Sequence, residues 1–122
     1  MPFDSTNYKP LDSEAVTVLL AARALIEREA NWTKGPFAAD ATGRDVDPLS
    51  QEACMFCVAG ALKRAGENAD FMAGYDAREA IRDAVPAVFE RMHVMFNEDQ
   101  HTTHADVLAL FDRAIAAAEP TP

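Results

Sequence analysis

Between Pro48 and Gly66 the chain reads PLSQEACMFCVAGALKRAG, and no other stretch restricts the possible folds as much. Ser50 follows Pro48 and is a natural acceptor for the unpaired amides of a first helical turn, while Glu52 puts negative charge at the positive end of the helix dipole. Gly66, just after Lys63 and Arg64, supplies a left-handed stop with cations at the carbonyl end. The stretch therefore predicts a helix of about four turns. At about 100° per residue, Cys54, Val58, Ala61, Leu62 and Ala65 share one face, with Met55 beside them and Glu52, Lys63 and Glu67 opposite. Small or apolar residues lie on nearly every side, so other elements must cover it. Cys57 and Gly60 fall on the flanks and Phe56 lands near the charged side. An aromatic there needs a cover, and Gly60 lets another backbone come close enough to provide one.

A chain of 122 residues with 49% hydrophobic content is long enough to bury a core as one domain, 1–122. No apolar run reaches the roughly 18 residues of a membrane span, and the opening MPFDSTNYKP lacks the charge and apolar block of a secretory signal. The expectation is a cytoplasmic protein with both cysteines reduced, no membrane association and no cofactor. Twenty acidic against eleven basic residues give a net charge of -9, which disfavours direct nucleic-acid binding because that requires Lys and Arg to neutralise phosphates. Such a surface supplies solubility, and it also suits a basic protein partner.

The flanking segments sort by pattern. Residues 1–11 read as an extended arm in which Phe3, Tyr8 and Leu11 tack onto the body. Asp12 or Ser13 caps a first helix with the stripe Ala15, Val18, Leu19, Ala22, Leu25 and Ile26, ending near Asn31. Residues 32–48 form a hairpin insertion: Phe37 to Asp40 outward, a turn over Asp40 to Gly43, and Arg44 to Val46 returning. Two strands alone are marginal, so this hairpin leans on the helices through Trp32, Phe37 and Val46 and is the natural cover for Phe56 and Gly60. After the central helix, Phe71 and Met72 point inward from a loop, and Asp76 with Glu79 makes a capping box. Ile81, Ala84, Val85, Val88, Phe89, Met92, Met95 and Phe96 hold helical phase across Pro86, which predicts a kink or two abutting helices. NEDQHT, from Asn97, is a polar connection; Thr103 and Asp106 cap a last helix with the stripe Val107, Leu108, Phe111, Ala114, Ile115 and Ala118, stopped by Pro120. The fold expected is mainly α: a bundle of four to five helices with a small β-hairpin between the first and second.

The runs WTKGPFAADATGRDVDP, ACMFCVAGALKRA, FNED and THADVLALFDRAIA together resemble a family of short bacterial and bacteriophage proteins that carry a domain of unknown function. In that family a tryptophan and glycine open a hairpin, a cysteine-containing helix with Gly-Ala-Leu follows, and an Asn-Asp corner leads into a capped helix. The resemblance spans roughly residues 13 to 118, and the motifs are specific as a set. Here Glu98 stands between Asn97 and Asp99, where the family has the two adjacent. The resemblance implies a fold and a phage or mobile-element setting, and no activity.

Cys54, Cys57, His101 and His104 have the ligand count of a tetrahedral zinc site. Zinc CxxC pairs sit on turns that converge two sulfurs, however, whereas a helix places Cys54 on its buried face, and the histidines straddle a helix cap. A thiol nucleophile would need Cys57, the more accessible cysteine by phase, beside His93 or His101, yet that cysteine sits too far into the helix to gain from the dipole. Inert buried thiols are the simpler reading. Asp40, Asp45 and Asp47, and Glu98 with Asp99, match no calcium loop and read as turn residues. With no phosphate-cradling glycine loop and no serine elbow, the sequence favours a non-catalytic module that binds another protein or itself. The expected contact surface is Trp32, Lys34, Phe37, Asp40 and Arg44, on a hairpin held by a rigid scaffold. The alternative is a zinc-binding or thiol-dependent module using Cys54 and Cys57.

Overall fold

The first helix, α1 (Ser13–Leu25), buries Ala15, Val18, Leu19 and Ala22, the stripe its spacing predicts, with Ile26 just beyond its end also in the core. It is the element around which the others pack, meeting α2 (Val58–Ala65), α3 (Phe71–Ala84) and α5 (His104–Ala118). The computed structural model describes residues 13–119. The arm expected over 1–11, an Asp12 cap and the Pro120 stop lie outside them. α1 stops at Leu25 rather than near Asn31, and a single 3-10 turn, Glu29–Asn31, follows. At this end His104 Nε2 donates to the Ile26 carbonyl at 2.7 Å, so one group left open by the helix end finds its partner in the first turn of α5.

The expected four-turn helix over 48–66 is not what forms. Pro48 to Ala53 is a pair of turns, closed by Ser50 N to Asp47 O (2.9 Å) and Ala53 N to Ser50 O (3.2 Å). Arg64 fastens them from α2, donating through Nη1 to the carbonyls of Pro48 (2.8 Å) and Ser50 (2.7 Å). The chain then extends as β2 (Met55–Phe56), antiparallel to β1 (Ala38–Ala39) with Ala38 opposite Phe56 and Ala39 opposite Met55. Phe56, which a helix would have aimed at the charged side, is 2% exposed on this strand. Only Val58–Ala65 is helical, and its cap is Cys57, not Ser50. Gly66 does end the helix, but with φ -89°, not in the left-handed region.

The return limb of the expected hairpin is present as well: Ala39 bridges Asp45, Val46 N donates to Ala38 O (3.1 Å) and Asp40 N to Arg44 O (2.9 Å), around Gly43 at φ +88°. Its other edge carries β2, through Cys54 N to Ala39 O (2.9 Å) and Cys57 N to Phe37 O (3.1 Å). The result is a small antiparallel element between the first two helices that covers both Phe56 and Gly60. At Gly60 the backbone of Phe37 comes so near that an added Cβ would lie 2.8 Å from the Phe37 carbonyl carbon and overlap its oxygen.

α3 begins earlier than the Asp76 box implies. Asp70 is the cap, accepting from Met72 N at 3.0 Å, and Ala73, Ala77 and Ile81 form the buried stripe. In that phase Phe71 and Met72 point outward, 80% and 53% exposed, contrary to expectation. Glu79 instead takes Arg91 (2.7 Å) and Arg82 (3.4 Å). At Pro86 the helix breaks rather than bends: Val85 is extended, as a residue before proline prefers, and a 3-10 turn (Ala87–Phe89) leads through left-handed Glu90 and Arg91 into α4 (His93–Glu98). The break puts Val88, Met92 and Met95 outside the core, while Phe89 meets Phe96 edge-on at 5.3 Å. α5 starts with the expected Thr103–Asp106 capping box and buries Val107, Phe111, Ala114, Ile115 and Ala118, with Leu110 in addition.

Candidate functional site

The most constrained polar group is Asn97, fully buried on α4. Its Oδ1 accepts from Trp32 Nε1 (2.8 Å) and from the Val58 amide (3.1 Å), and its Nδ2 donates to the carbonyls of Thr33 (3.2 Å) and Lys34 (3.4 Å). Lys34 Nζ reaches on to the Asp99 carbonyl at 2.8 Å, and the Trp32 ring lies 5.8 Å from that of His104. One amide thereby joins the Trp-Gly segment, the first turn of α2 and the Asn-Asp corner. Both lone pairs and both N–H groups are used, so this hub has no capacity left for a ligand. Composition and periodicity miss it, because Asn97 reads as the start of a polar loop; the only signal is the FNED motif itself.

The two cysteines have exchanged the environments that a helix assigns them. Cys54 is exposed; Cys57 is buried, and its Sγ accepts from Gly60 N at 3.3 Å as the cap of α2. Burial pushes the Cys57 thiol up from its ordinary value, partly offset by the Gly60 and Ala59 amides. His104 is committed to the Ile26 carbonyl, exposed His101 lies 3.3 Å from Gln100, and half-buried His93 is pushed below its ordinary value by burial and then by Arg82 and Arg78. Among the described residues no group of three or more His, Cys, Asp or Glu is placed to hold a metal ion.

The turn carboxylates bond back to the chain. Asp40, buried, accepts from Thr42 Oγ1 (2.7 Å), Thr42 N (2.9 Å) and Arg44 N (2.9 Å), and the Thr42 hydroxyl does most to hold it below its ordinary value. Asp47 accepts from Leu49 N (2.8 Å), and Asp99 from His101 N (3.0 Å). Of the expected contact residues, Trp32, Lys34 and Asp40 are thus engaged within the fold, while Phe37 is 53% exposed and Arg44 lies open at the turn.

Phe37 stands at the edge of something larger. An open groove of about 1120 Å³ runs between the Asp45–Leu49 loop, α2 and α3. Its apolar lining includes Phe37, Leu49, Phe71 and Tyr75, all substantially exposed. Asp45, Asp47, Glu67 and Asp70 line it too, as do Lys63, Arg78 and His93. Arg78 lies 5.3 Å over the Tyr75 ring. Phe71 and Tyr75 escape a sequence reading that starts the helix at Asp76; starting it at Asp70 puts both off the Ala73–Ala77–Ile81 stripe. No helix among the described residues is long and apolar enough to cross a membrane.

Compared with known proteins, residues 10–117 match the model of a family described as "Family of unknown function (DUF6197)". No curated protein and no solved structure matches the chain.

Proposed function

Because the chain belongs to this family of unknown function, which brings no activity with it, we propose from its surface that it is a non-catalytic protein-interaction module. The observation that carries the reading is the groove: Phe37, Leu49, Phe71 and Tyr75 line one open depression, while the polar clusters are spent on holding the fold. Exposed apolar side chains gathered in one concavity mark a docking surface more often than scattered ones do. The contact surface therefore moves from Trp32, Lys34 and Asp40 toward Phe37 and α3, with Arg44 at its margin. Direct nucleic-acid binding is disfavoured by the net charge of -9, and the two unpaired thiols suit a reducing cytoplasm. A phage or mobile-element setting rests on the sequence resemblance. The zinc or thiol alternative finds no support in a pair of cysteines of which one is exposed and the other buried.

The test is co-purification of the tagged protein from its native host, with mass spectrometry, beside a Phe37→Ser, Phe71→Ser double variant. The expected result is a stoichiometric partner, or self-association by light scattering, that the variant loses without a change in melting. Retention of the partner by the variant would refute the groove as the contact.

A further inference from the structure

One wall of the groove carries an open sheet edge. Asp40 N donates to Arg44 O (2.9 Å) and Val46 N to Ala38 O (3.1 Å), so Arg44 and Val46 turn their main chain toward β1. In an antiparallel ladder the residue between two such positions faces the other way. The N–H and C=O of Asp45, which bridges Ala39, therefore point out of the sheet, and neither has a hydrogen-bond partner among the described residues. Asp45, Val46 and Asp47 of this limb line the groove. An extended segment laid along them continues the sheet, with main-chain bonds for affinity and alternate side chains for recognition.

Charge decides what kind of segment fits. Asp45, Asp47, Glu67 and Asp70 line the groove against Lys63 and Arg78, and Arg78 is already stacked over Tyr75. Burial, with Arg82 and Arg78 nearby, lowers His93 from its ordinary value, so at neutral pH it adds no cation. Elsewhere Asp40, Glu79, Asp83 and Asp112 each pair with an arginine, whereas among the described residues none of the groove carboxylates has an ion-pair partner. A basic segment supplies the missing cations, and the net charge of -9 steers it in. A second copy of this chain fits poorly, because its own edge brings the same Asp45 and Asp47, and like charges set opposite one another destabilise a strand pair.

We infer that the groove takes an extended segment of another protein in which Lys or Arg alternates with apolar residues. It adds as a strand along Asp45, its cations meeting Asp45, Asp47 and Glu67 and its apolar side chains meeting Phe71 and Tyr75. This rests on the groove being a docking surface, as proposed above, and states the chemistry of what docks there.

The test is selection of an mRNA-displayed library of short random peptides on the full chain, with fluorescence anisotropy of the enriched peptides. The expected result is enrichment of Lys and Arg interspersed with apolar residues. Binding weakens about tenfold or more in Asp45→Lys with Glu67→Lys, and as much when one central amide of the peptide is N-methylated. Phe71→Ser with Tyr75→Ser, both at exposed positions, abolishes it, while the thermal melts of both variants match the parent's. Enriched peptides that are acidic or uncharged, indifference to N-methylation at every position, or self-association of the chain through this face overturns the inference; where the serine pair still abolishes the contact, the groove stands as a docking surface. Peptides that bind the serine pair as tightly as the parent overturn the inference and the groove together. No enrichment overturns the inference alone, and the co-purification experiment then judges the groove.

Discussion

Gly60→Ala and Gly74→Ala are the same substitution in the interior of two packed helices, yet the structure gives them opposite signs. At Gly74 the added methyl meets nothing within 4 Å and fills little of the groove, so the variant gains the helix propensity of alanine, about 1 kcal/mol. Gly60→Ala has the same gain, but its methyl overlaps the carbonyl of Phe37. That carbonyl is the acceptor for Cys57 N at 3.1 Å, where the strands begin to pair. Losing this bond costs about 1 kcal/mol, and shifting packed backbone costs about 1–3 kcal/mol. The net is a loss of about 1–3 kcal/mol at Gly60, and hence a gap of about 2–4 kcal/mol between the two variants. Urea unfolding of each full-length variant beside the parent, followed by far-ultraviolet circular dichroism, measures the gap directly. Midpoints that move the same way, or a Gly60→Ala midpoint at or above the parent's, would refute the claim that the Phe37 backbone seats against α2.

Asn97→Leu keeps similar volume but strands the Val58 amide and the Trp32 indole in the interior; equilibrium unfolding should show a loss of about 3–5 kcal/mol, and a loss under 1 kcal/mol would deny the hub its role. Glu90 holds φ 52° at an exposed position, so Glu90→Gly should raise the unfolding free energy by about 1 kcal/mol, read from the denaturant midpoint. For His93 the folded value is depressed, so its contribution is present above 6.5 and is lost as pH falls through the folded value; His93→Gln should flatten that limb of the stability profile. Asp40, also depressed, adds a second loss below 3.8, and Cys57, raised, makes stability decline as pH climbs above 9.0. With a maleimide, Cys54 should react at the rate of a free thiol and Cys57 only on opening, so Cys54→Ser should abolish labelling of the native protein.

Where side chains repeat at one period and a cap stands at the end, the residues state the element. α1 and α5 are of this kind, and their buried stripes lie where Val18, Leu19, Ala22 and Val107, Phe111, Ala114 place them. The covering of Phe56 and Gly60 by the segment after Trp32 was legible for another reason: both positions conflict with a solitary helix. That conflict did not by itself rule out the four-turn helix that Ser50 and Gly66 suggest as caps. An aromatic on the polar side, next to Cys54 and Met55, fits a short strand better, and the ladder to β1 decides for that through long-range hydrogen bonds that local propensity cannot register. The error over α3 has one source, since Asp70 and Asp76 are both competent caps and only the packing of Ala73 selects the earlier. The groove was illegible for a related reason. Its walls come from Phe37, Leu49 and Phe71, which share no period and meet only once the turns at Pro48 are tied down by Arg64.

Asn97 closes hydrogen bonds to partners as many as 65 positions earlier. During synthesis Trp32 and Val58 leave the ribosome well before it, so their N–H groups must remain with water until the carboxamide arrives. A chain cut short ahead of α4 therefore lacks the acceptor that Trp32 and Val58 use in that interior.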